Sequence, residues 1–523
     1  MLMSNSKKKV YKLLSSLNEL KWSDAFKGLL CGIAAGLLAV LYRLGIEYGT
    51  DTAIKIYGYL RNHPELILPW LMIMIGVGLF LAWIVKLEPM ASGSGIPQVE
   101  GVVLYGLKMK WYTVLAVRFI GGLLSAFCGL SLGREGPSIQ IGAAGSQAVA
   151  KRLSKSRLKE NYLITGGAAA GLSAAFNAPL SGMIFALEEV HRSFSPIILI
   201  IATTASLTAD IISKCFFGLK PVLSFVTITQ LPVGLYFWLI PLGIVSGLSG
   251  ALINKTLLRF QSIYSKLPWF LGPSIALLIA LPCGIFLPNI LGGGQNLVKI
   301  AETANSGILI LLIYFISKVV FTGTSFGSGV PGGIFMPILS IGSLSGCIIG
   351  ITATHFGLPA EYIPAFAICA MAGALSASVK APVTSILLAA EMTGSLVHML
   401  PVAACSFTAL LVSDILKVTP IYETLLERFV EKNGHALPMQ AKGGMFEVPV
   451  EMGSIVAEKM ISEIEWPQGA LIVDVKRGAK EIVPSGSTKI IPGDYLIILY
   501  ADDIEKDVSS SVKELCRMSL TQK

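Results

Sequence analysis

The sequence contains few charged residues. Aspartate, glutamate, lysine and arginine make up 14% of its 523 residues, whereas hydrophobic residues make up 53%. Soluble globular chains carry about 25% charged residues, so this balance excludes an ordinary soluble protein. Cysteine and histidine are scarce too, with eight and five residues. The cysteines have no CxxC pair or nearby histidine, which indicates small apolar side chains and excludes a disulfide framework.

The sequence patterns of catalysis are also absent. We find no P-loop, no nucleophile with a base at motif spacing and no cluster of metal-ligand residues. We therefore expect no enzymatic activity, no cofactor and no bound metal. The net charge of +9 does not indicate nucleic-acid binding, because the basic residues flank apolar runs, as in KRLSKSRLKE at 151–160.

Long apolar runs dominate the first 430 residues. LILPWLMIMIGVGLFLAWIV at 66–85 is long enough to cross about 30 Å of hydrocarbon as a helix, and about ten segments are similar or somewhat shorter. The sequence therefore predicts an all-α polytopic membrane protein. Residues 1–22 carry five lysines, three of them consecutive at 7–9, but no signal-peptide pattern. They predict a cytoplasmic amphipathic segment on the membrane surface, with a plain solvent-facing helix as the alternative.

The composition changes near residue 430. Residues 431–523 contain 14 acidic and 11 basic residues, so they carry a net charge of −3 while the first part carries +12. Within this tail, MFEVPV, ALIVDVKR and DYLIILY have strand character and are separated by turn-rich pieces. We predict a transmembrane domain at 23–430 and a small cytoplasmic α/β domain at 431–523.

The transmembrane part contains an internal repeat. GREGPSIQIGA at 133–143 aligns with GIFMPILSIGS at 333–343, and AGLSAAFNAPLSGMIFALEE at 170–189 aligns with GALSASVKAPVTSILLAAEM at 373–392. The halves lie at about 23–215 and 232–430. Repeated halves commonly meet near the bilayer midplane, where glycine and proline interrupt helices and a transported ion is held.

Four interruptions can start helices: SGSGIP, GREGP, PGGIFMP and VTPIYE. A helix start exposes backbone N–H groups and the positive end of the helix dipole, so it favours an anion. Ser94 and Tyr422 add neutral hydroxyl donors, which suit an ion that must also leave. The alternative is that these stretches are tight loops between packed helices.

Carboxylates inside the membrane part indicate a function or a specific partner, because placing a charged side chain there costs about 2.5 to 3.5 kcal/mol of free energy. Glu135, when ionised, would occupy an anion site as a tethered competitor and would leave when protonated. Glu188 aligns with Glu391 across the repeat, which predicts a structural role in both halves. Glu189 aligns with Met392, so we expect a specific task such as passing protons. The alternative for Glu189 is a charge at the membrane edge, wetted by the cytoplasm.

These stretches together resemble the CLC family of chloride channels and chloride/proton exchangers, whose motifs stand here as GSGIP at 93–97, GREGP at 133–137 and GIFMP at 333–337. The resemblance implies two inverted repeats, a homodimer and a chloride site formed by Ser94, Tyr422 and the backbone N–H groups of Ile334 and Phe335. It implies that Glu135 is the gating glutamate. It implies electrostatic support from Arg118, with a purely structural role as the alternative. The site-shaping residues would be Gly93, Gly95, Pro97, Gly133, Arg134, Gly136, Pro137, Gly333 and Pro337.

The resemblance implies a proton-coupled exchanger if the family's second acid is present, and Glu189 stands at that position. The expected function is chloride/proton antiport in a lipid membrane, with chloride and protons as the transported ions. Two alternatives stay open: a passive voltage- or pH-gated chloride channel, and an anion-sensing protein with negligible flux.

The tail resembles the TrkA-C module of potassium-transport regulators over residues 469–501. Arg477, Pro484, Gly493 and Asp494 match its turn pattern, which makes them residues of the fold first. Such modules dimerise and sometimes bind a small regulatory ligand, so the resemblance implies a candidate ligand here. It also implies a multi-pass prokaryotic cell-membrane protein with both termini in the cytoplasm.

Overall fold

The computed structural model describes residues 2–154, 156–219, 221–223, 225, 229–433, 445–477, 480–500 and 505–517, with the side chains of 2–21, 445, 480, 481 and 505–507 left aside. The chain forms two compact units, Met1–Arg428 and Phe429–Lys523. The first is helical. The second contains a small sheet and one helix.

The first unit begins with eight helices. They are α1 Leu2–Asn62, α2 Ile67–Leu87, α3 Ile96–Leu104, α4 Trp111–Phe127, α5 Glu135–Leu153, α6 Arg157–Phe176, α7 Pro179–Phe185 and α8 Pro196–Phe217. The helices that follow are α9 Leu239–Tyr264, α10 Leu271–Phe286, α11 Gln295–Thr303, α12 Ile308–Gly327, α13 Phe335–Thr354, α14 Ile363–Val379, α15 Pro382–Thr393, α16 Met399–Ile415 and α17 Ile421–Lys432. Seven segments among the described residues are long and apolar enough to cross a membrane. The predicted mostly helical, polytopic fold is confirmed.

The helix order repeats as the sequence predicts. Helices α3 to α8 and α11 to α16 follow one another in the same succession, and α5 and α13 begin 200 residues apart. The two halves meet at Gly133 and Gly333, which exchange backbone hydrogen bonds of 2.7 and 2.8 Å. The N-terminal ends of α5 and α13 therefore lie side by side at the junction of the halves.

Glycines allow the central helices of each half to touch through their backbones. A Cβ atom on Gly142 of α5 would lie 2.2 Å from the carbonyl oxygen of Gly167 on α6. At the equivalent place in the second half, a Cβ on Gly342 of α13 would lie 2.6 Å from the carbonyl oxygen of Ala370 on α14. Such contacts leave no room for a side chain, so they fix the positions of α5 and α13 and of the helix starts that they carry.

Each half supplies a carboxylate to a helix start of the other half. The backbone N–H of Ser181 at the start of α7 donates to Glu391 at 2.7 Å, and the N–H of Thr384 at the start of α15 donates to Glu188 at 2.8 Å. The hydroxyls of Ser181 and Thr384 donate to the same carboxylates. The predicted structural role of Glu188 and Glu391 is confirmed. Each carboxylate accepts hydrogen bonds from first-turn N–H groups that have no acceptor within their own helix.

The second unit contains a four-stranded antiparallel sheet with the order β1, β4, β2, β3. The strands are β1 Met445–Pro449, β2 Leu471–Arg477, β3 Lys480–Ile482 and β4 Tyr495–Leu499, and helix α18 is Glu505–Cys516. Three strands lie where the sequence predicts them. The short strand β3 was not predicted, because three residues are too few to show an alternating pattern.

An ion pair closes the turn before β4. Arg477 donates through Nε and Nη2 to the two carboxylate oxygens of Asp494, each at 2.8 Å, and the N–H of Ile491 donates to Asp494 at 3.0 Å. Burial opposes the charge on Asp494, but these hydrogen bonds outweigh it and hold the pKa of Asp494 below its usual value. The interpretation of Arg477 and Asp494 as residues of the fold agrees with this geometry.

We predict that acid weakens the second unit through Asp494. Because its pKa is lower in the folded state, its contribution is fully present above the unfolded value of about 3.9 and is lost as the pH falls through the folded value. The Asp494→Asn variant should lower the local stability at neutral pH by about 1 to 3 kcal/mol, since Arg477 loses a charged, bidentate partner. Hydrogen exchange in β2 and β4 of the full-length protein measures this effect. The control is Asp474→Asn, because Asp474 makes no ion pair among the described residues; equal protection losses in both variants would contradict the prediction.

Candidate ion site at the junction of the halves

The loop that carries Ser94 is shaped by two glycines. Gly93 and Gly95 have φ values of 60° and 93°, in the left-handed region that glycine adopts without strain. The backbone turns there and starts α3 directly after Ser94, with Pro97 in its first turn. The Ser94 hydroxyl is buried and contacts no hydrogen-bond partner among the described residues. A buried donor of this kind is available to a bound ion.

Arg118 holds this loop from α4. Its side chain is completely buried, and its guanidinium donates to the carbonyl oxygens of Gly93, at 2.5 Å, and Ser92, at 3.5 Å. The charge of Arg118 thus lies behind the loop that presents Ser94. These hydrogen bonds fix the loop.

The structure brings Tyr422 to Ser94 from more than 300 residues away in the sequence. Tyr422 lies in the first turn of α17 and is completely buried. Its hydroxyl lies near that of Ser94, and its ring stacks on the ring of Phe335 with the centroids 6.0 Å apart. Two neutral hydroxyls therefore converge beside the start of α13, as the sequence predicts.

The remaining predicted donors lie at the start of α13. Ile334 precedes α13 and Phe335 is its first residue, and both are buried. The first N–H groups of a helix have no intrahelical acceptor, so they can bind an anion. Pro337 occupies the first turn, where its missing N–H costs nothing, and Pro137 has the same place in α5.

Glu135 lies where the starts of α5 and α13 meet. It is the first residue of α5, is 1% exposed, and its carboxylate lies at the backbone N–H of Met336 in α13. Gly136 packs directly against Ser94, since a Cβ there would lie 2.5 Å from the Ser94 hydroxyl. The carboxylate thus occupies a helix-end position next to the hydroxyl site, which is where a competing anion would sit.

Arg134 points away from the hydroxyl pair. Its guanidinium forms an ion pair with Glu47 of α1, and both residues line a cavity beside Glu135. The sequence assigned Arg134 a shaping role and did not single out Glu47, which lies in a helix long and apolar enough to cross a membrane. The membrane cost of a carboxylate is the signal that could have found it.

Glu189 lies in a π-helical turn, Ala186–Val190, that follows α7. Such turns occur frequently at functional sites. The side chain is 5% exposed, and its Oε1 atom contacts no hydrogen-bond partner among the described residues. Glu189 and Glu135 both act electrostatically on Tyr422, so the hydroxyl site lies within reach of both carboxylates.

Two further charged residues surround Glu189, and the sequence reasoning missed both. Glu100 of α3 is completely buried, and Arg192 lies 2.8 Å from it and 3.9 Å from Glu423 of α17. Glu189 lies within electrostatic reach of Glu100 and Arg192. Glu423, whose side chain is 37% exposed, also lies within electrostatic reach of Glu189.

Lys318 of α12 is the counterpart of Arg118 and was also missed. It is completely buried and donates to the carbonyl oxygens of Ile290, at 2.8 Å, and Gly292, at 2.7 Å. These carbonyls belong to the loop before α11, just as those bonded by Arg118 belong to the loop before α3. The signal was available, because Lys318 follows Arg118 by the 200-residue offset of the repeat.

These features describe an integral, multi-pass membrane protein with a candidate ion site where two repeated halves join. Helix starts, two hydroxyls and the Glu135 carboxylate converge there. Comparison with known proteins agrees. The family model described as voltage gated chloride channel matches residues 77–414, and the TrkA-C domain model matches residues 445–512. The chain belongs to the voltage-gated chloride channel (CLC) family, and its second unit is a TrkA-C domain.

Curated relatives and solved structures extend this assignment. The chain is 34% identical over 423 residues to an H+/Cl− exchange transporter ClcA of Salmonella schwarzengrund, which covers 78% of this chain and 89% of the relative. The ClcA of Klebsiella pneumoniae is also 34% identical, over 77% of this chain and 88% of its own. A slow cyanobacterial Cl−/H+ antiporter has a similar structure, with a TM-score of 0.72, 30% identity, and coverage of 78% of this chain and 99% of its own. These relatives are transporters, in agreement with the expectation that the chain is not an enzyme.

Proposed function

We propose that the protein is a secondary active antiporter that exchanges chloride for protons. Glu135 is its gating glutamate and Glu189 its internal proton-transfer residue. Support comes from the exchange transporters and antiporters that the chain resembles, and from two buried carboxylates on the same hydroxyl site. The observation that carries the proposal is that Phe335 packs against both Tyr422 and Phe185, which directly precedes the turn of Glu189, with ring centroids 6.0 and 5.6 Å apart.

Chloride binds between Ser94, Tyr422 and the backbone N–H groups of Ile334 and Phe335. All of these donors are neutral, so the site attracts an anion without holding it as tightly as a lysine or arginine would. Arg118 contributes potential from behind the Ser94 loop. Glu135, at the neighbouring helix start, competes with chloride while it is ionised and releases the position once a proton neutralises it.

Protons reach the site from the other carboxylate. Glu189 receives them from the surface by way of the carboxylates of Glu423 and Glu100, which can take up and release protons, while Arg192 holds the two together. It then passes them towards Glu135 past Tyr422. Because the same Glu135 side chain responds to the proton and to chloride, movement of one ion is tied to movement of the other.

The proposal extends to the surroundings of the chain. We infer a homodimer in a prokaryotic cell membrane with both termini in the cytoplasm, in line with the family. The TrkA-C domain would respond to a small regulatory ligand. Neither inference enters the exchange mechanism above, which uses residues of one chain only.

The crossed-gradient reversal potential tests the proposal. Purified protein in liposomes is expected to move protons uphill when driven by a chloride gradient alone, and its reversal potential should depend on both gradients. A passive channel would reverse at the chloride equilibrium potential whatever the pH difference. An anion sensor would show chloride-dependent binding to the second unit with negligible flux, so each alternative has its own outcome.

A further inference from the structure

A cavity of about 220 Å³ lies beside Glu135. Its walls come from α1, from the starts of α5 and α11, and from Met336 of α13. Two carboxylates of α1, Glu47 and Asp51, line this cavity one helical turn apart. The exchange mechanism assigns a role to Glu135 but none to these residues.

Glu47 is held between two arginines. Its Oε1 atom accepts hydrogen bonds from Nη1 of Arg134 and from Nε of Arg43, the latter at 3.2 Å. Arg43 is itself anchored, because its Nη1 donates to Asn177 at 2.8 Å and its guanidinium lies 3.7 Å from the ring centre of Phe217. Glu47 therefore links Arg134 to Arg43, which is held by contacts with Asn177 and Phe217.

Arg134 has hydrogen-bonding capacity to spare. The side chain is 4% exposed, and within the described part of the chain its Nε and Nη2 atoms contact no acceptor. A buried guanidinium with unsatisfied donors binds anions strongly. Arg134 lines the same cavity as Glu135, so chloride that passes Glu135 comes within its field.

We propose that Glu47 is a positioning residue that holds Arg134 and offsets its charge, so that chloride passes the cavity and is not retained there. The charged groups that face Glu47 are Arg43, Arg134, Glu135 and Asp51. Without Glu47, both arginines lose their shared carboxylate and the potential of the cavity becomes more positive. Chloride then binds there more tightly and leaves more slowly. This inference rests on the chloride path past Glu135 in the function proposed above, and not on the coupling of chloride to protons.

The test is Glu47→Gln in the full-length protein in liposomes. The chloride concentration for half-maximal turnover should fall about three- to fivefold, as expected for one lost charge in a partly aqueous setting, and maximal turnover should fall with it. The proton-to-chloride ratio should stay unchanged. A merely structural defect would reduce the amount of active protein and leave the half-saturating concentration where it was, which would overturn the proposal.

Two comparisons isolate the contact with Arg134. Asp51→Asn removes the other carboxylate of α1 from the cavity wall and should shift the half-saturating concentration less than Glu47→Gln does; equal shifts would overturn the proposal. In an Arg134→Gln background, adding Glu47→Gln should cause little further tightening. A shift of full size in that background would also contradict it.

Chloride titration by calorimetry separates this inference from the proposed exchange. If the unmodified protein moves no protons with chloride, the exchange proposal fails. Tighter chloride binding by Glu47→Gln would still support the role of Glu47 in that case. Unchanged chloride affinity in a protein with coupled transport would overturn the role of Glu47 alone.

Discussion

Replacing Glu189 with glutamine is expected to abolish proton transport while chloride transport continues. Glutamine keeps the size and the polarity of the side chain but has no carboxylate to carry a proton. Positioned acid–base groups typically contribute 10² to 10⁴ in rate, so proton flux should fall by about a hundredfold or more. Chloride flux and pH change are measured together in liposomes, and the ratio of the two reports the loss of coupling.

The neighbouring residue provides a matched control. Glu188→Gln changes the same chemical group one position earlier, but the Glu188 carboxylate accepts hydrogen bonds from the start of α15. We expect this variant to retain proton coupling and to lose some stability, because an amide oxygen is a weaker acceptor than a carboxylate. If both variants lost coupling equally, the role given to Glu189 would be wrong.

Replacing Glu135 with glutamine should make chloride flux independent of pH and abolish coupling altogether. The carboxamide is permanently neutral, so it no longer competes with chloride at the start of α5 and can no longer accept a proton. Chloride flux measured between about pH 5 and about pH 8 should then be flat, whereas the unmodified protein should vary across that range.

The conservative variant Glu135→Asp separates charge from shape at this position. Aspartate is one methylene shorter but still titrates, so pH dependence should persist even if the rate falls. A pH-dependent flux in Glu135→Gln would mean that another group controls the anion. A flat profile in Glu135→Asp would mean that the length of the side chain, and not its charge, sets the response.

The sequence identifies the residues that come together at the candidate ion site because each lies at a break in a hydrophobic run. Ser94, Glu135, Phe335 and Tyr422 all follow glycine or proline within a few positions, and the structure brings them together. The repeat also predicts the structural role of Glu188, since Glu188 has an acidic counterpart in Glu391 and both carboxylates accept from helix starts. Their individual roles in transport stay predictions.

The missed residues have a common physical cause. Glu47, Glu100 and Lys318 lie inside regular helices, and each has a stabilising partner from another part of the chain. Sequence order does not reveal those partners. Arg192 was missed for a different reason: as a basic residue after an apolar helix, it matches an ordinary membrane-flanking residue, although it contacts two carboxylates.

The carboxylates of Glu188 and Glu391, each of which accepts hydrogen bonds from a helix start in the other half, also have a consequence for biosynthesis. Glu391 accepts a hydrogen bond from the backbone N–H of Ser181 and lies 210 positions after it in the sequence. A ribosome that adds about 5 to 20 residues per second needs about 10 to 40 s to cover that distance. During this time the first turn of α7 is already made but lacks its carboxylate. The first N–H groups of α7 therefore lack this acceptor until the second half has been translated and inserted beside the first.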